Sequence, residues 1–106
     1  MIAVDTNVLV HAHRRDTPWH AAAAATLREL AEGASSWAIP WPCIHEFVAV
    51  VTHEGIFAPP STPAAAEAQV DAWLESPTLV LLGETPGYWP VLRTVVANAR
   101  ITGPRG

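Results

Sequence analysis

Two acidic residues, Asp5 and Glu46, lie in otherwise apolar segments of this sequence. Asp5 interrupts the hydrophobic run "MIAVDTNVLV", and Glu46 lies in "CIHEFVAVVT", 41 positions further along the chain. An unpaired carboxylate is costly to bury, so each acid needs a partner. Two converging carboxylates are typical ligands of Mg²⁺ or Mn²⁺, which prefer hard oxygen donors and keep positions for water and phosphate. The pair therefore indicates a divalent metal site.

Each of these acids also has a simpler structural interpretation. An Asp that precedes Thr6 and Asn7 can cap a turn or a helix where the chain leaves a strand. Glu46 can reach solvent from its helix or pair with an arginine such as Arg93. The sequence leaves both interpretations open, and the metal site gains support because both acids are expected at the same end of a sheet.

The other chemically capable residues form weaker patterns. Cys43 is the only cysteine, which excludes an intramolecular disulfide and a cysteine-rich zinc site. The "HE" at His45 does not begin an H-E-x-x-H helix, because the residue four positions later is Ala49. The five histidines are therefore better explained as surface or helix-end residues than as zinc ligands. The five tryptophans are expected to pack in the core rather than to stack on bases.

Composition narrows the class of protein. The 106 residues correspond to one small domain, and a hydrophobic share of 50% is typical of a globular chain. A net charge of −4, with all six basic residues being arginine, argues against binding nucleic acid through bulk charge. It does not exclude an enzyme that holds a phosphodiester with a metal and a few arginines, such as Arg14, Arg15 or Arg100. We expect a cytoplasmic protein with no membrane segment, because no apolar stretch approaches the ~20 residues of a spanning helix.

Strand and helix patterns alternate along the chain. Strands are predicted at residues 2–4, 35–41 and 78–83, and helices at residues 16–33, 42–55, 63–76 and 85–101. In the first helix, Asp16 or Thr17 is the expected cap, Pro18 lies in the first turn and Trp19 faces inward. The second helix is predicted to be largely buried with Glu46 as an interior acid, and the third to bury Leu74. Strands joined by helices predict a parallel, right-handed sheet whose ligands bind beyond the carboxyl ends of its strands.

The opening "MIAVDTNVLV", a proline-started helix after it, and the acid of "CIHEFVAVVT" about forty residues later resemble a PIN domain of the VapC toxin type. The resemblance extends from Met1 to about Gly103. It implies an α/β, three-layer parallel sheet, with about three strands and four helices in this chain. The activity it implies is that of a magnesium- or manganese-dependent endoribonuclease toxin that hydrolyses RNA and binds a cognate antitoxin. Asp5 and Glu46 would match its catalytic, metal-binding carboxylates, and Thr6 and Asn7 the polar positions that support the first acid.

The same resemblance implies a third essential acid and a further strand beyond the position of "ITGPRG". No carboxylate side chain follows Glu84. We therefore expect residues 1–106 to form a single PIN-like domain without its usual C-terminal portion. The segment from Ile2 to Val10 would then be an unpaired apolar edge that favours a homodimer. Two functions stay open: a ribonuclease toxin of weak or absent activity, or a non-catalytic fragment that only binds an antitoxin or self-associates.

Overall fold

A computed structural model describes residues 1–83 of the chain. Within them, three strands and four helices follow in the order β1 (Ile2–Ala3), α1 (Thr6–His13), α2 (His20–Glu32), β2 (Trp37–Pro40), α3 (Trp41–Val51), α4 (Pro63–Leu74) and β3 (Leu79–Leu82). The strands form a parallel sheet in the order β1-β2-β3, so β2 is the central strand of this described part. The predicted α/β class and parallel sheet are confirmed. The helix predicted at 85–101, with Arg93 and Arg100, lies outside the described residues.

The first strand is much shorter than its apolar sequence suggests. β1 ends at Ala3, and the chain enters α1 at Thr6. The apolar residues that follow Asp5 are buried by this helix, with Val8 and Leu9 at 0% exposure. The prediction of a nine-residue apolar strand edge is therefore wrong, because a helix capped by Asp5 takes up most of that segment. Among the described strands, β1 pairs with β2 only.

Helix α2 begins later than its sequence suggests. It starts at His20 with Trp19 as its N-cap, so neither Asp16 nor Thr17 caps it and Pro18 precedes it. Asp16 instead binds the guanidinium of Arg14, and Trp19 is 48% exposed rather than inward-facing. The predicted end at Gly33 is confirmed. A Cβ there would lie 2.9 Å from the Glu29 carbonyl oxygen, so this position favours glycine.

The core lies between the sheet and the helices, and aromatic rings link three of those helices. Phe47 of α3 is fully buried and contacts His13 edge-on at a centroid distance of 5.3 Å and Trp73 of α4 at 4.9 Å. All four residues of β2 are buried, as its apolar sequence predicts. Two other predictions of burial are wrong. Leu74 is 41% exposed at the end of α4, and β3 is only partly covered, with Val80 at 37%.

Polar contacts fix the end of α1 against α4 and the loop before it. The His13 ring donates from Nδ1 to Gln69 Oε1 at 3.0 Å, and its Nε2 lies 3.0 Å from Ser61 Oγ. Because Arg14 Nη1 donates to the same Ser61 oxygen, the serine hydroxyl can donate its own hydrogen to His13. We call these contacts the His13 clasp. They join His13 to Ser61 and Gln69, which lie 48 and 56 positions further along the chain. None of the described helices is long and apolar enough to cross a membrane.

Candidate metal centre

Asp5 lies at the carboxyl end of β1, in extended backbone that leads into α1. Its Oδ1 accepts a hydrogen bond from the Val8 amide at 3.1 Å, so the residue is the N-cap of the helix. The side chain is half-buried. The capping interpretation of Asp5 is thus correct, but it does not compete with metal binding, because the cap bond uses one of the two carboxylate oxygens.

Glu46 reaches the same edge of the sheet from the neighbouring strand. β2 ends at Pro40, α3 begins at Trp41 with Pro42 in its first turn, and Glu46 follows one turn later. The prediction of Glu46 as an interior acid is wrong, because its side chain is exposed. α3 turns Ile44 and Phe47 to the core instead. An exposed glutamate avoids the cost of burial, and it is also accessible to a cation and a substrate.

The thiol of Cys43 lies near both acids, and their charges affect its pKa. Burial raises the pKa of the thiol, while hydrogen bonds from the hydroxyl and backbone of Thr6 lower it. The charges of Asp5 and Glu46 both raise the pKa further. Coulomb interactions of this kind require short separations near a protein surface. The structure therefore brings the two carboxylates to the surroundings of one thiol, although 41 positions separate them in sequence.

Thr6 supports this edge in a way that sequence reasoning missed. It is a buried polar residue, 9% exposed, and its contact is with Cys43. This contact joins the first turn of α1, which follows Asp5, to the first turn of α3, which precedes Glu46. Asn7 is half-buried in the same turn, and its support of Asp5 stays a prediction.

The donor set fits a hard cation. Two carboxylates suit Mg²⁺ or Mn²⁺, which prefer hard oxygen ligands. Across residues 1–83, no group of three or more His, Cys, Asp or Glu side chains is arranged to hold a metal ion. Asp5 and Glu46 would therefore supply two ligands. Their role as ligands stays a prediction.

The nearby histidines and arginines have structural contacts. His11 Nδ1 and Thr17 Oγ1 share a hydrogen bond of 3.1 Å, and His20 Nδ1 donates to the His11 carbonyl oxygen at 3.0 Å. Burial lowers the pKa of His11, and the charge of Asp5 partly offsets that effect. Arg14 is held by Asp16 at 2.6 Å and lies 4.3 Å above the Phe57 ring, with 11% of its side chain exposed. Arg14 is therefore a poor candidate for RNA contact, whereas Arg15 is exposed.

Comparison with known proteins yields no matching family model, but several curated relatives. The chain is 33% identical over 103 residues to VapC ribonuclease Mb2897 of Mycobacterium bovis. The matched region covers 97% of this chain and 70% of the relative. Ribonuclease VapC43 of Mycobacterium tuberculosis matches to the same extent. Ribonuclease VapC48 of the same species is 31% identical over 102 residues, covering 96% of this chain and 68% of the relative.

A parallel α/β sheet with two carboxylates beyond the ends of adjacent strands is consistent with a PIN-like fold. The relatives make the assignment more specific. The chain belongs to the VapC ribonuclease family of PIN-domain toxins.

Proposed function

We propose that this chain is an endoribonuclease toxin of a toxin–antitoxin module and that it hydrolyses RNA phosphodiester bonds with Mg²⁺ or Mn²⁺. The observation that carries the proposal is that Asp5 and Glu46 follow the carboxyl ends of the adjacent parallel strands β1 and β2, Asp5 as the N-cap of α1 and Glu46 within α3. The charges of both acids also raise the pKa of the Cys43 thiol. The names of the relatives supply the substrate class, because each is called a ribonuclease.

Each residue of the site has a physical task in this proposal. Asp5 and Glu46 would hold the cation with oxygen ligands, and the Val8 amide fixes the orientation of the Asp5 carboxylate. Thr6 and Cys43 interact between the first turns of α1 and α3, the two helices at which the acids lie. When bound, the ion supplies positive charge that activates water and offsets the charge that develops on the attacked phosphate. The exposure of Glu46 lets an RNA strand approach the site from solvent.

The proposed partners follow from the same family membership. We infer an RNA substrate, a cognate protein antitoxin and a cytoplasmic location, where both would be met. A homodimer is part of the proposal, because β1 pairs with β2 alone among the described strands and its other edge can accept a further strand. Sedimentation equilibrium of the purified chain across a concentration series would test the homodimer, and a constant monomer mass would contradict it.

The function is tested by incubating purified protein with RNA and Mg²⁺. We expect cleavage that a chelator stops, that Asp5→Asn and Glu46→Gln abolish, and that Glu29→Gln leaves unchanged. Glu29 is the matched control, because it is an exposed helical acid on α2. Cleavage that survives both the chelator and Asp5→Asn would refute the metal mechanism. Absence of cleavage by the folded protein, together with binding of an antitoxin, would favour the non-catalytic alternative.

A further inference from the structure

Trp41 is an exposed aromatic residue at the same edge of the sheet as the two acids. It directly follows Pro40, the last residue of the central strand β2, and is 41% exposed. The sequence predicts core packing for all five tryptophans. That prediction holds for Trp37 and Trp73, which are 0% and 8% exposed, and is wrong for Trp41. The exposed indole therefore needs an explanation other than the core.

The indole lies beside the end of β3, on the flank of α3 away from the acids. A Cβ at Gly83, the residue after β3, would lie 3.7 Å from Trp41 Cδ1. At about 100° per residue, Trp41 and His45 share one side of α3, while Cys43 and Glu46 share the other. Because β1 and β3 flank β2, two strand spacings, or about 10 Å, separate the ends of the outer strands. Trp41 thus lies at the same edge of the sheet as the acid pair, but on the opposite flank of α3.

His45 completes a polar and aromatic surface at this position. Its ring centroid lies 6.0 Å from that of Trp41, with an angle of 38° between the planes, and its side chain is exposed. The two rings are i and i+4 neighbours on α3, so the helix holds them together. We define the Trp41 platform as Trp41 and His45.

We infer that the Trp41 platform stacks on an unpaired nucleobase next to the phosphate held at Asp5 and Glu46. This inference rests on the proposed ribonuclease function. A flat indole at an exposed position is the standard surface for base stacking, which tolerates any sequence because every base has a π-face. The position relative to the acids suits a base adjacent to the scissile phosphate.

The charge of the chain gives an independent reason for such a platform. Proteins that bind single strands usually combine a basic groove with stacking residues. This chain has a net charge of −4 and no lysine, and Arg14 is already paired with Asp16. Among the described arginines only Arg15 and Arg28 are exposed, so non-ionic contacts such as stacking can add to the affinity for RNA. Of the exposed large hydrophobic residues in the described part, Trp41 is the one that begins α3 at the carboxyl edge of the sheet.

The test measures binding of a short, end-labelled, single-stranded RNA by fluorescence anisotropy, with Ca²⁺ in place of Mg²⁺ to slow cleavage. We expect Trp41→Ala to weaken binding roughly five- to fiftyfold and Trp41→Phe to restore most of it. Trp19→Ala is the matched control, because Trp19 is similarly exposed, at 48%, but lies before α2. An abasic ribose–phosphate chain of the same length should bind wild type and Trp41→Ala equally, which a purely structural role would not predict.

The outcomes separate this inference from the proposed function. Equal RNA binding by wild type and Trp41→Ala overturns the platform even if the protein cleaves RNA. Base-dependent binding that needs Trp41, without any cleavage in Mg²⁺, supports the platform and contradicts the enzyme. A Trp41→Ala protein that binds RNA normally but loses self-association or antitoxin binding also overturns the inference, because Trp41 would then belong to a protein interface.

Discussion

The Asp5 carboxylate accepts a hydrogen bond from the Val8 amide through Oδ1, at 3.1 Å. Asp5 is thereby the N-cap of α1. It is also one of two acids whose negative charges raise the pKa of the Cys43 thiol. A capping role needs only an acceptor oxygen, whereas a metal ligand needs negative charge. The two roles can therefore be separated by substitution.

Asp5→Asn should keep the stability of the protein and remove its activity. Asparagine caps helices about as well as aspartate, so the free energy of unfolding should stay within about 0.5 kcal/mol of wild type. Asp5→Ala should cost about 1 kcal/mol, because the Val8 amide loses its acceptor. Urea unfolding and RNA cleavage measured on both variants check this prediction. If Asp5→Asn cleaved RNA at the wild-type rate, Asp5 would be only a cap.

Glu46→Gln should weaken magnesium binding with almost no effect on folding. The side chain is exposed, so we expect the free energy of unfolding to change by less than about 0.5 kcal/mol. Mg²⁺ affinity, measured by isothermal titration calorimetry, should fall at least about tenfold because one of two carboxylate ligands is lost. The same measurement on Glu29→Gln provides the baseline. Equal Mg²⁺ affinities in the two variants would exclude Glu46 as a ligand.

His11 should make the protein less stable as the pH falls. Burial lowers the pKa of His11 from its ordinary value of 6.5, despite the opposing charge of Asp5. The unfolded chain then binds more protons than the folded chain below about pH 6.5, so stability is full above that pH and declines below it until the folded pKa is reached. His11→Gln should reduce this pH dependence, measured by urea unfolding between pH 5 and pH 8. An unchanged slope would show that His11 contributes nothing to it.

The same histidine should report the charge state of the metal site. The negative charge of the Asp5 carboxylate raises the pKa of His11. Removing or neutralising that carboxylate charge should therefore lower the pKa of His11 further. We expect Asp5→Asn to have this effect, and Mg²⁺ to have it in the wild type but not in Asp5→Asn. Titration of the His11 ring by NMR measures both. A His11 pKa that does not respond to Mg²⁺ would argue against an ion at Asp5.

Removal of the His13 clasp should destabilise the protein. His13→Ala deletes the contacts with Gln69, Ser61 and the Phe47 ring. Two hydrogen bonds and an edge-on aromatic contact together contribute about 2–4 kcal/mol. Urea unfolding of His13→Ala, Gln69→Ala and the double variant checks this value. Strictly additive losses would show that the His13–Gln69 bond itself does not stabilise the fold.

Local sequence patterns predicted much of the fold because each element has its own periodicity. β2 and the buried face of α3, with Phe47, follow directly from the spacing of apolar residues. The helix α1 was not predicted. Val8, Leu9 and Val10 form a continuous apolar run, and such a run is as typical of a buried strand as of a buried helix. Asp5 was considered as a cap of a turn or a helix, but the sequence alone did not show that a helix follows it.

The sequence proposed Asp5 and Glu46 as the acids of the candidate site, and their role as ligands stays a prediction, but it did not predict what surrounds them. The two carboxylates stand out because they interrupt apolar sequence. Nothing local predicts that Thr6 meets Cys43, since this contact depends on how α1 packs against α3. The exposure of Trp41 was equally hidden, because tryptophan usually favours the interior and only the packing of α3 shows that this one lies at the surface.

The contact between Thr6 and Cys43 has a consequence for when the protein can act. Asp5 precedes α1, whereas Glu46 lies on α3, which is synthesised later. The contact between Thr6 and Cys43 forms only after α3 has packed against α1. A nascent polypeptide that has not reached α3 carries no complete acid pair. If the pair cuts RNA, the ribosome that makes the protein is exposed to it only after the tertiary structure has closed.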